Sequence, residues 1–266
     1  VIGGLLAAIG ASLGYAVATI LQARGSRKAQ GLHALVQPLV VVGFVLDGAS
    51  FLLSLVAYAS LPLFLVQSII AASLVGVVAL AVPVLHASLR PWDVAGVIAV
   101  VAGLVTLGLA TGDQPEVRPS GTFVVVVLVA AAVLAVLLAA AYVKGPAWML
   151  GTISALGYSG VAIAAREASP TGPWTSVVFQ PLAAGVVLFG ITAVIAYVRA
   201  LERGPVSLAA ALVSVIEVVI PGVVGIALFG DGVAQGWMLA AIGAVAVCLA
   251  GCVVLSFSPA NDAAEG

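Results

Sequence analysis

Residues 123–141 read FVVVVLVAAAVLAVLLAAA, a continuous apolar run. A strand of a transmembrane barrel would alternate apolar and polar residues over stretches of about 10, and this run does not alternate. A helix needs ~20 such residues to cross the ~30 Å hydrocarbon layer, and it satisfies its own backbone hydrogen bonds on the way. The segment is therefore read as a membrane-spanning helix, and the chain around it repeats the pattern.

Of the 266 residues, 64% are hydrophobic and 7% charged, with a mean hydropathy of +1.31 and a net charge of -1. Soluble domains are roughly 45–50% apolar and about 25% charged. Nine basic and ten acidic residues cannot cover the surface of a water-soluble domain of 26.3 kDa. The composition thus implies an all-α integral membrane protein whose medium is the lipid bilayer. It also excludes nucleic acid as a partner, since no basic footprint for phosphates exists, and it excludes disordered chains and disulfide scaffolds.

Apolar runs between Gly, Pro and charged breakers predict about nine transmembrane helices. They cover approximately Ile2–Leu21, Leu39–Ala59, Leu63–Leu85, Trp92–Ala110, Thr122–Tyr142, Ala147–Ala165, Val177–Val198, Val206–Phe229 and Trp237–Phe257. The connections Arg24–Gln37 and Thr111–Gly121 are too short for a soluble domain. The first run is too long for a signal peptide, and its basic residues follow rather than precede it. The absence of an initial Met leads us to expect a few residues ahead of Val1. Positive residues mark the cytoplasmic side of a membrane protein. Arg24, Arg27, Lys28, Arg90, Lys144, Arg199 and Arg203 share the side of the C-terminus, against Arg118 and Arg166 on the other. The expectation is a multi-pass cell-membrane protein with its N-terminus outside and its C-terminus in the cytoplasm.

Three matches recur at a spacing of 143 residues: Leu13-Gly14-Tyr15 with Leu156-Gly157-Tyr158, Gln37-Pro38-Leu39 with Gln180-Pro181-Leu182, and Pro62 with Pro205. They divide the chain into a first repeat (1–111, spans one to four), a linker with connector span five (112–145), a second repeat (146–258, spans six to nine) and a cytoplasmic tail (259–266). The odd connector makes the two four-helix repeats inverted, an arrangement common among secondary transporters because two such halves can expose a midplane site to each side in turn. Gln37 and Gln180 then stand near opposite faces, either as paired gates or as interfacial amides at helix starts.

The segments AYASLPLFLVQ (57–67) and AYVRALERGPVSL (196–208) resemble the third-helix entry of the drug/metabolite transporter superfamily. Leu228-Phe229-Gly230-Asp231-Gly232, followed by Trp237 and a small-residue helix, is similar to the acidic turn before the last helix of each EamA-type repeat, and Arg90-Pro91-Trp92-Asp93 with Gly96–Gly108 matches that stretch in the first half. The resemblance covers nearly the whole chain through motifs of low specificity. It departs in having nine rather than ten helices and in replacing the first acidic turn by His86-Ala87-Ser88. Nine helices with an external N-terminus resemble the NIPA-like magnesium-transporter branch, which implies magnesium as one substrate to consider; from the residues alone the metal is unknown.

Ionisable residues inside spans cost ~2.5–3.5 kcal/mol at the helix centre and point to a functional interior. Asp47 and Glu217 are the two found there, with Glu217 nearer mid-span. Pro221 cannot donate the backbone bond that would satisfy the Glu217 carbonyl. Gly222 and Gly225 permit a kink or a close approach, and Ser214 lies on the Glu217 face at i-3. The group reads as a cation or proton site, or as a glutamic acid hydrogen-bonded across the bundle. Gln67, Ser68, Tyr15 and Tyr158 either complete a polar lining or act as interhelical hydrogen-bonding groups. Two carboxylates fall short of the six or more oxygen ligands a hard divalent cation takes, waters included.

His33 and His86 read as interfacial, and Cys248 with Cys252 as packing residues on one helix face. Gly10 with Gly14 and Ala99 with Gly103 are small-residue steps that suit close helix contact, within the chain or in a homodimer. Arg24, Arg27 and Lys28 set topology or touch anionic lipid. No nucleophile-base set, cofactor motif or catalytic loop is present, so no enzyme and no cofactor are expected. The functional expectation is a secondary transporter moving a small solute or cation by alternating access, with or without proton coupling; the alternative is a non-transporting scaffold or accessory subunit of a lipid-handling complex.

Overall fold

The computed structural model describes residues 2–26, 37–86, 88–112, 121–168, 180–204 and 206–259. Among these the chain is helical apart from turns and one isolated bridge between Thr111 and Val233. Ten helices follow in order: α1 (Ile2–Ser26), α2 (Pro38–Tyr58), α3 (Leu63–Ala71), α4 (Ser73–Leu85), α5 (Pro91–Ala110), α6 (Gly121–Ala141), α7 (Ala147–Ala168), α8 (Pro181–Arg203), α9 (Val206–Leu228) and α10 (Met238–Ser256). With α3 and α4 taken together, the described residues hold nine segments long and apolar enough to cross a membrane. Large apolar side chains such as Leu109, Val136, Leu239 and Ile242 stand exposed around the bundle, as in a multi-pass membrane protein whose outer surface meets lipid.

Lipid tails are as apolar as leucine, so helices here associate through close packing rather than hydrophobic burial. Three pairs run in long contact, α1 with α2, α7 with α8, and α5 with α10, and each uses glycine. A Cβ on Gly14 would lie 2.1 Å from Ser50 Oγ, one on Gly157 would lie 2.8 Å from the Ala193 Cβ, and one on Gly103 would lie 2.8 Å from the Ala244 carbonyl oxygen. Gly10 also faces α2, through Leu53, so the predicted small-residue steps are used within the chain. Between these pairs, α7 packs on α9, α1 on α4 and α3, and α3 on α9, while α6 lies against α8 and α7.

Two features differ from the sequence reading. The third span is not one helix: it breaks at Ala72, whose amide bonds back to Ser68 while Val75 bonds to the Ala72 carbonyl in an i→i+3 turn. No Pro or Gly marks the break. The Ala71 carbonyl there faces the Cys252 thiol at 3.8 Å, a tertiary contact that takes up a backbone group left without its helical partner. Second, α7 continues past Ala165 to Ala168 and carries Arg166 into the protein instead of leaving it in a connection.

The buried apolar residues form three clusters. One joins both halves at the end where α2, α5, α7 and α9 finish, through Leu61, Leu63, Phe64, Leu107, Ala165 and Phe229. Another belongs to α6–α9, and the third to α1, α4, α5 and α10. The halves are thus joined at one end and also along one flank, where α10 packs on α5 and α4.

Candidate functional site

Away from the joined end lies a cavity of about 580 Å³ bounded by α1, α2, the α3–α4 break, α7, α8 and α9. Its wall contains Tyr15, Asp47, Tyr158, Ser214 and Glu217 together, so five residues singled out from sequence meet in one place. Tyr15 and Tyr158 share this wall with both carboxylates.

Eight lining positions of the first half recur in the second at the spacing of 143 residues: Tyr15/Tyr158, Thr19/Ala162, Asp47/Gly190, Phe51/Val194, Ser54/Tyr197, Ile70/Val213, Ala71/Ser214 and Leu74/Glu217. Only the tyrosine pair keeps its identity. Asp47 corresponds to a glycine and Glu217 to a leucine, so each half supplies one carboxylate from a different helix.

The two acids differ in environment. Asp47 Oδ2 accepts a 2.6 Å hydrogen bond from Gln22 Nε2 on α1. Among the described residues none hydrogen-bonds the Glu217 carboxylate, which faces the cavity from α9. Ser214, expected beside it, turns its hydroxyl back to the Ala210 carbonyl at 2.8 Å. No Lys, Arg or His lies on the described wall, while Tyr58 and Tyr197 bring its tyrosines to four.

Gln67 is buried behind the wall rather than on it, and its Nε2 donates to the Tyr58 hydroxyl at 2.9 Å. Its Oε1 is buried with no hydrogen-bond partner among the described residues. Ser68 bonds the Phe64 carbonyl at 2.7 Å. Pro221 lies one turn beyond Glu217, inside a helix that continues to Leu228, and does not reach the wall. Gln37 and Gln180 occupy the residues before α2 and α8, each followed by Pro at the first helical turn; neither side chain caps its helix and neither touches the cavity. Pro205 and His33 fall outside the described residues.

The sequence reading missed a buried cluster at the joined end. Arg166, at the end of α7, donates from Nη1 to the carbonyls of Tyr58 and Leu61, the latter at 2.5 Å, and from Nη2 to Asp231 Oδ1 at 3.2 Å. Asp231 Oδ2 in turn accepts the Leu63 amide at 2.7 Å, capping the start of α3. Gly225 makes room, since a Cβ there would lie 2.4 Å from Asp231 Oδ2. Both side chains are almost wholly buried, at 6% and 0% exposure. Burial pushes the Asp231 carboxyl up, with the Leu63 bond and the Arg166 charge acting in the opposite direction. One ion pair therefore ties together α7, the α2–α3 connection and the α9–α10 turn. The signal available in sequence was the acidic turn at Asp231; the partner was hidden because Arg166 lies beyond the last residue of an apolar run.

Comparison of the chain with protein-family models, with curated proteins and with solved structures finds no match.

Proposed function

We propose that the protein is a secondary transporter that moves a small solute or cation through this cavity by alternating access of two inverted four-helix repeats, α1–α5 and α7–α10, with α6 as connector. The observation that carries this reading is the pairing of eight cavity positions at one constant spacing. The helix contacts support it as well: α1·α2 corresponds to α7·α8, α1·α3/α4 corresponds to α7·α9, and α5·α10 and α3·α9 each join a helix to its own counterpart. Such a bundle has two related ways of closing, which is the requirement for exposing one site to each side in turn.

With the C-terminus in the cytoplasm, the Arg166–Asp231 cluster closes the outer end and the cavity belongs to the inward-facing state. Opening outward then requires α3 and the α9–α10 turn to separate from α7, and so requires that ion pair to part. Glu217 is the free carboxylate in the path and binds the cationic substrate or a coupling proton; Asp47, held by Gln22, is the second charge. This agrees with the resemblance to the drug/metabolite transporter superfamily.

The direct test is solute flux into proteoliposomes under an imposed pH gradient. Uptake by the unaltered protein and its loss in Glu217→Gln are expected. Unchanged transport and unchanged pH dependence in that variant would remove Glu217 from the mechanism, and a purified protein that moves no solute but retains a partner protein would favour the scaffold reading.

A further inference from the structure

We infer that the cavity selects a monovalent organic cation carrying an aromatic or alkyl body, in preference to an inorganic divalent ion. This rests on the transporter reading only for the consequence that the cation is moved; the binding site stands on the cavity itself.

Three features of the wall lead to this class. Its ionisable groups are two carboxylates and four tyrosines, with no basic side chain among the described lining residues, so a cation is the only charged guest the wall favours. Much of the remaining lining is apolar, including Phe51, Ile70 and Val186, and a naked or hydrated metal ion gains nothing from such surface. Tyrosine presents both: a ring face that attracts cations and an apolar body. A quaternary ammonium group beside Glu217, with its hydrocarbon against Tyr15 and Tyr158, uses all of these.

A hard divalent ion fits the same wall poorly. It takes six or more oxygen ligands, in part water, and no group of three or more His, Cys, Asp and Glu suited to a metal occurs among the described residues. Asp47 and Glu217 come from different helices, and Asp47 is already engaged by Gln22. The volume of about 580 Å³ also suits an organic molecule rather than a bare ion.

The test is equilibrium binding of benzyltrimethylammonium to the purified full chain in detergent, by calorimetry, with neopentylbenzene as its uncharged isostere and magnesium chloride at matched ionic strength. Saturable binding of the ammonium is expected, displaced by neither control. Glu217→Gln should weaken it by roughly tenfold or more, and Tyr158→Leu by roughly 3- to 30-fold, whereas Tyr158→Phe, which keeps the ring, should retain most of it. Size-exclusion profile and helical content of each variant separate lost binding from lost folding. Equal binding of the isostere, displacement by magnesium, or unchanged affinity in a folded Glu217→Gln variant would overturn the proposal. Binding without flux in proteoliposomes would instead overturn the transporter reading and leave the cation site intact.

Discussion

The two walls of the cavity occupy matching places in the chain yet carry different chemistry. At positions 143 residues apart, Tyr15 matches Tyr158, but Asp47 corresponds to Gly190 and Glu217 to Leu74. In the proposed mechanism two halves must pack and repack alike, while the charges have no such need. A site on the boundary needs only one strong carboxylate, because both halves surround it. On the proposed repeat, the matched positions keep their place in the chain while the charges of the site do not.

That contrast can be broken at several points. The largest effect is expected from Glu217→Gln, which should reduce proteoliposome flux to background. Moving the acid to the other wall, in Leu74→Glu with Glu217→Leu, should recover part of the cation binding that Glu217→Leu alone loses; calorimetry reads the difference. Next comes the end that holds the halves together. Arg166→Ala leaves the Asp231 carboxylate buried and unpaired, for a loss of ~3–5 kcal/mol, visible as a lowered Tm in detergent.

Packing glycines give a smaller effect and a sharper control. Gly157→Ala forces a methyl group to 2.8 Å from the Ala193 Cβ and should cost ~1–3 kcal/mol. Gly190→Ala meets only Val161, at 3.7 Å, and should leave Tm nearly unchanged. Smallest is Asp47→Asn: Asp47 already accepts a bond from Gln22 that an amide oxygen can also accept, so affinity for benzyltrimethylammonium should fall less than in Glu217→Gln.

Much of this was legible in the sequence for simple reasons. Apolar runs specify spans whatever their partners, and the acids at 47 and 217 stood out because hydrocarbon tolerates few of them. The spacing of 143 residues is legible where identity persists, as at Tyr15 and Tyr158, but the pairs Ser54/Tyr197 and Leu74/Glu217 share that spacing without sharing chemistry. The break at Ala72 left no trace because no Pro or Gly stands there. Arg166 was assigned to a connection since hydropathy ends a span where charge begins, and only the fold supplies the carbonyls of Tyr58 and Leu61 that let a guanidinium be buried there. Gln67, for which the sequence leaves open a lining or an interhelical hydrogen-bonding role, bonds Tyr58 of α2 from α3.

The central claim is that one cavity is presented to the two sides of the membrane in turn. A single cysteine at Ser214, in a Cys248→Ala, Cys252→Ala background reconstituted in vesicles of known orientation, reports this through a membrane-impermeant maleimide. The account predicts labelling from the side of the α9 N-terminus in the unaltered bundle, and added labelling from the opposite side once Arg166→Ala releases the closed end. Labelling confined to one side in both proteins, or equal from both sides at the outset, would contradict it.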